Sequence, residues 1–417
     1  MNIQPFEEYE SEVRSYCRSF PTVFTKAKGS ILYDENGARY IDFFCGAGAL
    51  NYGHNNDYIK SRVLKYFEDD GVVHALDMFT SAKRDFIEFF EHNVLEPRGL
   101  NYKLQFPGPT GTNAVEAALK LARKVKGRSS VFALMGAFHG MTLGALSLTT
   151  DASSRAGAGV ALGDVVHIPA PYMFKELDVT AYMQTLLDDD HSGVEKPAAL
   201  VIETVQAEGG IYVFDTEFLQ SVSAFCAKND ILLIVDDIQV GCARTGTYFS
   251  FERAGIVPDM VVLSNSIGVY GMPFSLVLLK PELDLWAPGE HNGTFRGNQP
   301  AIIAAKAGLE VMLNEQVEQH AAHCGEIIGA FLRDNICTLD SRIRVRGIGC
   351  IWGVDFCGLE GDFSRKVMRI CFDNGLIVER VGRNNTVVKL MPQLLISDEE
   401  LYEGLNILQK AVSTALS

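Results

Sequence analysis

Short apolar runs alternate with helical patterns through the middle of this 417-residue chain. The runs are four to six residues long and rich in β-branched side chains, as the buried strands of a parallel sheet are. The stretches between them, such as residues 114–124 and 217–228, carry apolar residues at helical spacing. This alternation predicts an α/β fold with a mostly parallel sheet covered on both faces. The predicted strands are 131–135, 165–168, 199–204, 231–235, 260–263 and 275–279.

The two ends of the chain depart from this alternation. Residues 1–30 have the mixed pattern of an arm, and a predicted hairpin follows, with its second strand at 40–43. After residue 300 we predict a long helix from 301 to 323 and beyond, a strand-like segment at 344–356, a helix at 363–374, a segment at 387–396 and a closing helix at 398–416. The chain is long enough for more than one core. We therefore predict an arm with small-domain strands (1–56), a large domain (57–300) and a smaller C-terminal α+β domain (301–417).

Composition narrows the classes of function. The formal net charge of −15 argues against a nucleic-acid surface, which needs clustered basic residues. The nine cysteines form no CxxC pair, which favours reduced thiols and a cytoplasmic protein. We expect no membrane span and no metal site. The HxxH string of His320 and His323 is more typical of a surface helix than of a ligand set.

Polar residues follow two of the predicted strands where each ends. Asp236, Asp237 and Gln239 come after the run 231–235, and Asn265 lies between two serines after the run 260–263. Because the carboxyl ends of parallel strands meet at one edge of the sheet, we expect a single site there. A turn rich in Gly and Thr at 108–113 precedes a helix and could bind a phosphate with its backbone N–H groups, although a plain N-cap gives the same pattern.

Together these strings resemble the pyridoxal phosphate (PLP) site of the class III (ω-amino acid) aminotransferases. The resemblance implies the PLP-dependent transferase type I fold and a homodimer with shared active sites. In that family the strand-end Asp holds the pyridine nitrogen of the cofactor, and an aromatic and an aliphatic side chain contact the two ring faces. Carried onto this chain, the implied cofactor-binding residues are Gly111, Thr112, Phe138, His139, Asp236, Ile238, Gln239 and, reaching the neighbouring subunit's cofactor, Thr294.

Two strings narrow the resemblance further. FCGAGALNYGHNN (44–56) and HNGTFRGN (291–298) are similar to those of the diaminobutyrate–2-oxoglutarate aminotransferases. The implied reaction moves an amino group between L-2,4-diaminobutyrate, with aspartate semialdehyde as its keto partner, and 2-oxoglutarate, a step of ectoine or diaminobutyrate synthesis. Glu203 and Glu208 are expected to border the substrate, and Lys389 lies where several relatives carry an Arg for a substrate carboxylate.

Asn265 departs from the family pattern. It occupies the position of the Schiff-base lysine, which both binds the cofactor covalently and carries a proton during catalysis. An engineered Lys-to-Asn change that traps ligand adducts would explain it, as would a natural loss of transamination. Another ω-aminotransferase, γ-elimination or γ-replacement chemistry, and a catalytically silent PLP-fold binding protein are the alternative functions.

Overall fold

The computed structural model describes residues 2–417, which form 17 β-strands and 14 α-helices. The strands are β1 (Phe24–Lys28), β2 (Ile31–Asp34), β3 (Arg39–Asp42), β4 (Lys103–Gln105), β5 (Val131–Leu134), β6 (Val165–Ile168), β7 (Ala199–Ile202), β8 (Val205–Gln206), β9 (Tyr212–Val213), β10 (Leu232–Asp236), β11 (Met260–Leu263), β12 (Leu276–Leu279), β13 (Arg344–Ile348), β14 (Ile351–Asp355), β15 (Leu376–Ile377), β16 (Glu379–Val381) and β17 (Val387–Leu390). The helices are α1 (Gln4–Tyr9), α2 (Tyr16–Ser19), α3 (Asp57–Glu68), α4 (Ser81–Phe90), α5 (Gly111–Lys126), α6 (Leu143–Leu148), α7 (Ala152–Ala156), α8 (Val179–Asp188), α9 (Thr216–Lys228), α10 (Asn265–Gly268), α11 (Gln299–Asn314), α12 (Val317–Phe331), α13 (Phe363–Asp373) and α14 (Asp398–Leu416).

A seven-stranded sheet in the order β4-β12-β11-β10-β7-β5-β6 forms the centre of the molecule. Strands β11, β10, β7, β5 and β6 are parallel, whereas β12 pairs antiparallel with both β11 and β4. Every residue of β10 and β11 is buried, as expected for strands covered on both faces. The predicted α/β sheet is therefore confirmed, with β4 as a strand that the hydrophobic pattern did not reveal.

Helix α5 packs against this sheet and begins beside its carboxyl edge. Thr110 caps its first turn together with Asn113, and Gly127 ends it in the left-handed conformation at φ 60°. Its buried face is built almost entirely from small and aliphatic side chains, which let the helix approach the strands closely. The start of α5 is thereby held at the edge where the strands end.

Two four-stranded sheets flank the central one. Strands β13, β14, β17 and β16 form an antiparallel sheet. The other has the order β1-β2-β3-β15, in which β3 near the N-terminus pairs parallel with β15 from the C-terminal part. This pairing places residues of the first and last predicted regions in one sheet.

The single long helix predicted from residue 301 is wrong. Helix α11 ends at Asn314, and α12 starts after Gln316, which has a φ of 50°. No Gly or Pro marks the break in the sequence, so the apolar pattern runs through it. The left-handed Gln316 redirects the chain so that α11 packs on α3 and α4 while α12 packs on β13. No helix within residues 2–417 is both long and apolar enough to cross a membrane.

Candidate active site

A cavity of about 460 Å³ opens at the carboxyl ends of β5, β7, β10 and β11, beside the start of α5. It brings together ten of the twelve residues that the sequence proposed for cofactor and substrate. These are Gly111, Thr112, Phe138, His139, Glu203, Glu208, Asp236, Ile238, Gln239 and Asn265. The two others, Thr294 and Lys389, do not line this cavity.

Asp236 is anchored on both of its carboxylate oxygens. Oδ1 accepts the backbone N–H of Ile238 at 3.1 Å, and Oδ2 lies 2.6 Å from Nδ1 of His139. Burial alone would lower the pKa of His139, but the hydrogen bond and charge of Asp236 outweigh it and raise that pKa. The pair holds a buried negative group at a defined position in the cavity wall, where it can face a cationic ring nitrogen.

The start of α5 forms another wall. Gly111 and Thr112 are its first two residues, so their backbone N–H groups have no acceptor within the helix and the positive end of the helix dipole lies there. Thr112 Oγ1 lies 2.5 Å from Thr142 Oγ1, which donates to Glu116 at 2.6 Å. Because Thr142 donates to Glu116, Thr112 donates its hydroxyl proton to Thr142. The backbone N–H groups of the helix start are therefore the donors that suit a phosphate on this wall.

Phe138 and Ile238 both face the cavity and come from the ends of two different strands. A Cβ atom on Gly111 would stand 2.9 Å from Ile238 Cδ1, so only glycine lets Ile238 lie against the start of α5. The backbone N–H of Phe138 donates to Glu203 Oε1 at 3.0 Å, which ties the aromatic residue to the end of β7. These two apolar side chains can contact a flat ring between them.

Glu203 is a buried acid with unusual protonation. Burial raises its pKa to about 8, only partly offset by His139 and by the backbone N–H groups of Phe138 and Ala207. It is therefore largely a neutral carboxylic acid near pH 7. Burial also raises the pKa of Asp237, the neighbour of Asp236, to about 7. Asp237 accepts a hydrogen bond from the backbone N–H of Ser250 at 2.9 Å. Asp237 does not line the cavity.

Lys389 lies behind the cavity wall with its side chain fully buried. Its ammonium contacts Glu208 Oε1 at 2.6 Å, Glu379 Oε2 at 2.7 Å and Gln239 Oε1 at 3.2 Å. Burial alone would lower the pKa of Lys389, but the two carboxylates raise it above its ordinary value. Glu208 and Gln239 accept hydrogen bonds from this ammonium, and Glu379 lies within ion-pair distance of it. Lys389 thus neutralises Glu208, while its role toward a substrate carboxylate stays a prediction.

Thr294 lies on the surface of the chain, outside the cavity. Its carbonyl is 2.8 Å from His74 Nε2, which connects it to the segment 72–79. The predicted contact with a neighbouring subunit is untested by these distances.

Asn265 begins the short helix α10 at the end of β11, and its side chain faces the cavity. Its amide Nδ2 donates to the carbonyl of Ala47 at 2.9 Å, across the cavity wall. Four residues on, Val269 has a φ of 38°, a conformation that costs a β-branched residue strain. A Cβ on Gly308 of α11 would stand only 2.5 Å from Val269 Cγ2.

Sequence reasoning missed two elements of the site. Tyr16, from the arm, lines the cavity, and its ring packs on Phe44 at a centroid distance of 5.1 Å. Glu379 completes the surroundings of Lys389. Nothing in the local sequence of either residue points to the site, because both come from distant segments.

The chain matches the family model described as "Aminotransferase class-III" over residues 14–412. It belongs to the class III aminotransferases. It is 52% identical over 411 residues to a diaminobutyrate–2-oxoglutarate transaminase of Nocardia farcinica, with 98% of this chain and 94% of the relative covered. It is 49% identical over 411 residues to the protein of the same name from Vibrio parahaemolyticus, with 98% and 97% covered.

Solved structures agree with this assignment. An ornithine aminotransferase from Toxoplasma gondii superposes with a TM-score of 0.86 at 26% identity, covering 99% of this chain and 93% of that one. An S-selective transaminase from Arthrobacter superposes with a TM-score of 0.88 at 21% identity, covering 99% and 97%, and shows the shared fold. The class III aminotransferases use pyridoxal phosphate, and the predicted type I fold is confirmed.

The cavity of this aminotransferase fits the non-covalent part of cofactor binding. The buried pair of Asp236 and His139 is placed for the ring nitrogen, the start of α5 for the phosphate, and Phe138 with Ile238 for the ring faces. The covalent part has no counterpart among the described residues, since no Lys lines the cavity. Asn265 cannot form that bond.

Proposed function

We propose that this chain binds pyridoxal phosphate without a covalent link and derives from an enzyme that moves amino groups between L-2,4-diaminobutyrate and 2-oxoglutarate. The supporting observation is that Asp236, His139, Phe138 and Ile238 all line one cavity. The residue at position 265 of the same cavity, Asn265, has no amine. The substrate pair rests on the names of relatives about 50% identical over nearly the full chain.

The chemistry divides between cofactor and protein. When bound, pyridoxal phosphate supplies an electron-withdrawing ring that stabilises negative charge on the substrate carbon. Asp236 keeps a proton on the ring nitrogen, because a carboxylate at close range favours the cationic form. Phe138 and Ile238 hold the ring plane, and the start of α5 binds the phosphate. Glu203, whose pKa burial raises to about 8, can hold a proton beside Phe138, at the end of β7 rather than at position 265.

We further propose that the active form is a homodimer in the cytoplasm. Exposed apolar residues cluster next to Thr294, namely Val72, Val73, Leu76, Met78, Phe79 and Phe295. The ring of Phe295 packs against that of His74 at 5.7 Å, so the two segments form one surface. An apolar surface of this kind favours burial by a second copy. All nine cysteines are unpaired, which supports a reducing compartment.

A second candidate, a cofactor-binding protein without turnover, is favoured by the turn after Asn265. The Asn265 amide already has a hydrogen-bond partner in Ala47, and Val269 holds a strained backbone. A turn built to present a reactive lysine would gain nothing from either feature.

Asn265→Lys tests the proposal directly. We expect the variant to gain transamination of diaminobutyrate with 2-oxoglutarate by about 10²–10⁴-fold, the range that a positioned proton-transfer group contributes. Glutamate formation measures it. Asn265→Ala is the matched control, since it removes the hydrogen bond to Ala47 without adding an amine. A folded, cofactor-loaded Asn265→Lys protein no faster than Asn265→Ala would reject the transaminase origin and favour the silent binding protein.

A further inference from the structure

The catalytic cavity itself offers no cationic side chain among residues 2–417 that could bind a substrate carboxylate. Among the described residues that line it, none is Lys or Arg. Lys389, the nearest candidate, donates to Glu208 and Gln239 and is ion-paired with Glu208 and Glu379. Amino-acid and 2-oxo-acid substrates nevertheless carry carboxylates. A cation just outside the cavity can bind a carboxylate that extends beyond it.

A second cavity, of about 790 Å³, lies beside the first and shares Phe138 and Glu208 with it. We call it the vestibule. It is lined by the segment after β5, by residues 150–154 around the start of α7, and by residues 380–385 between β16 and β17. Its cationic lining residues within residues 2–417 are Arg380 and Arg383. Arg380 is paired with Asp362 at 2.6 Å.

Arg383 is held in place but has no carboxylate partner among residues 2–417. Its Nη1 donates to the hydroxyl of Tyr172 at 3.1 Å, and its guanidinium lies 5.3 Å from the centre of that ring. Tyr172 in turn stacks on Tyr212 at 3.5 Å, and Arg346 covers the far face of Tyr212 at 4.0 Å. This stack fixes one edge of the Arg383 fork. Nη2 lies 3.6 Å from Sδ of Met173, a weak acceptor, and the remaining N–H groups have no partner among residues 2–417.

The guanidinium lies beside the segment that joins the vestibule to the catalytic cavity. A Cβ on Gly136 would stand 3.3 Å from Nη2 of Arg383, so the guanidinium lies against the loop that leads to Phe138. The one carboxylate shared by the two cavities, Glu208, is neutralised by Lys389 and does not compete for Arg383. A planar guanidinium with free N–H groups is matched to a carboxylate, which it can bind through two parallel hydrogen bonds.

We propose that Arg383 binds the distal carboxylate of a dicarboxylic substrate in the vestibule, with Tyr172 as its positioning residue. This rests on the proposed function, in which one substrate is a five-carbon dicarboxylic 2-oxo acid. Arg383 then distinguishes the two substrates of one site, because a diamino acid offers an ammonium at the corresponding end and gains nothing from a guanidinium there.

Calorimetric titration of the cofactor-loaded protein with glutarate tests this without requiring turnover. We expect Arg383→Gln to weaken glutarate binding about tenfold or more, as loss of a charge-assisted pair does. Arg383→Lys should retain part of the affinity, since it keeps the charge but loses the fork. Pentanoate, which has one carboxylate, should bind more weakly than glutarate. Its affinity should fall less than about threefold in Arg383→Gln, because it has no second carboxylate for Arg383 to bind.

Arg369→Gln is the control, because Arg369 is an exposed arginine of α13 paired with Asp373. Unchanged glutarate affinity in Arg383→Gln, an equal loss in Arg369→Gln, or no saturable glutarate binding by the unaltered protein would each overturn the assignment. Failure of the proposed function has a different signature, because Asn265→Lys would then stay inactive even where glutarate binding depends on Arg383.

Discussion

The two sides of the catalytic cavity differ in how completely they are built. On the strand-end side, Asp236 is fixed through both oxygens and faces His139, in a buried and mutually supporting arrangement. The other part of the wall, the turn from Asn265 to Val269 after the neighbouring strand β11, carries a side-chain amide and a β-branched residue at φ 38°. The proposed non-covalent cofactor contacts and position 265 thus lie on separate elements, and substitutions can test whether one function can be lost while the other stays.

The largest expected effect on the strand-end side is the change in unfolding free energy with pH that the titration of Glu203 causes. Its folded pKa of about 8 lies above that of an unfolded glutamate, so unfolding releases a proton between roughly pH 4.3 and 8. Stability contributed by this group is therefore greatest below that window and falls as the pH rises through it, by about 1.4 kcal/mol per unit. The free energy of unfolding measured in urea should fall less between pH 5 and 8 for Glu203→Gln than for the unaltered protein.

Glu195→Gln, at an exposed position, is the control for that titration. The same decline in Glu203→Gln as in the unaltered protein would show that Glu203 is already ionised in the folded state.

Asp236→Asn should weaken cofactor binding by about 1.5–3 kcal/mol, the contribution of a hydrogen bond to a charged group, which is roughly tenfold to a hundredfold in affinity. Equilibrium dialysis of pyridoxal phosphate against the purified protein measures it. Asp237→Asn provides the matched control, because its neighbouring carboxylate binds Ser250 and does not line the cavity. Equal losses in the two variants would remove Asp236 from the cofactor site.

Gly308→Ala probes the turn side. Its new methyl group would meet Val269 at 2.5 Å, and overpacking of this kind costs about 1–3 kcal/mol of unfolding free energy. Adding Val269→Gly should recover much of the loss, because it removes the opposing side chain and the positive-φ strain together. Gly157→Ala, where a Cβ meets nothing within 4 Å, is the control. Purely additive effects of the two changes would place them out of contact.

Asn265→Ala should have the smallest effect, a loss of about 0.5–1.5 kcal/mol from the hydrogen bond to Ala47. Cofactor affinity should stay within about threefold of the unaltered value, since the turn supplies no charged contact. Urea unfolding and the dialysis assay measure the two quantities. A large drop in cofactor affinity would mean that the two sides of the cavity are not independent.

Local pattern was sufficient for most of the central sheet. The runs that became β5, β7, β10, β11 and β12 are apolar because both faces of each strand are covered, and the edge strand β6 was found from its shorter apolar run. The closing helix α14 was predicted with its observed bounds, Asp398–Leu416. The break between α11 and α12 was not visible, because it depends on how each helix packs and not on a Gly or Pro.

The candidate site divides in the same way. Asp236, Asn265 and the start of α5 were found because strand ends and helix starts have local signals. The partners of Lys389 and the position of Arg383 were not, because each contact joins segments far apart in the chain.

By itself the sequence determined the α/β class, the family and the absence of an amine at position 265, since these depend on residue types and their spacing. Tertiary structure alone decided that Lys389 lies between two carboxylates, that burial raises the pKa of Glu203 and that Arg383 lines the vestibule without a carboxylate partner among residues 2–417. The physical reason is that charge state and hydrogen-bonding capacity depend on which distant groups are brought within a few ångströms and how far water is excluded.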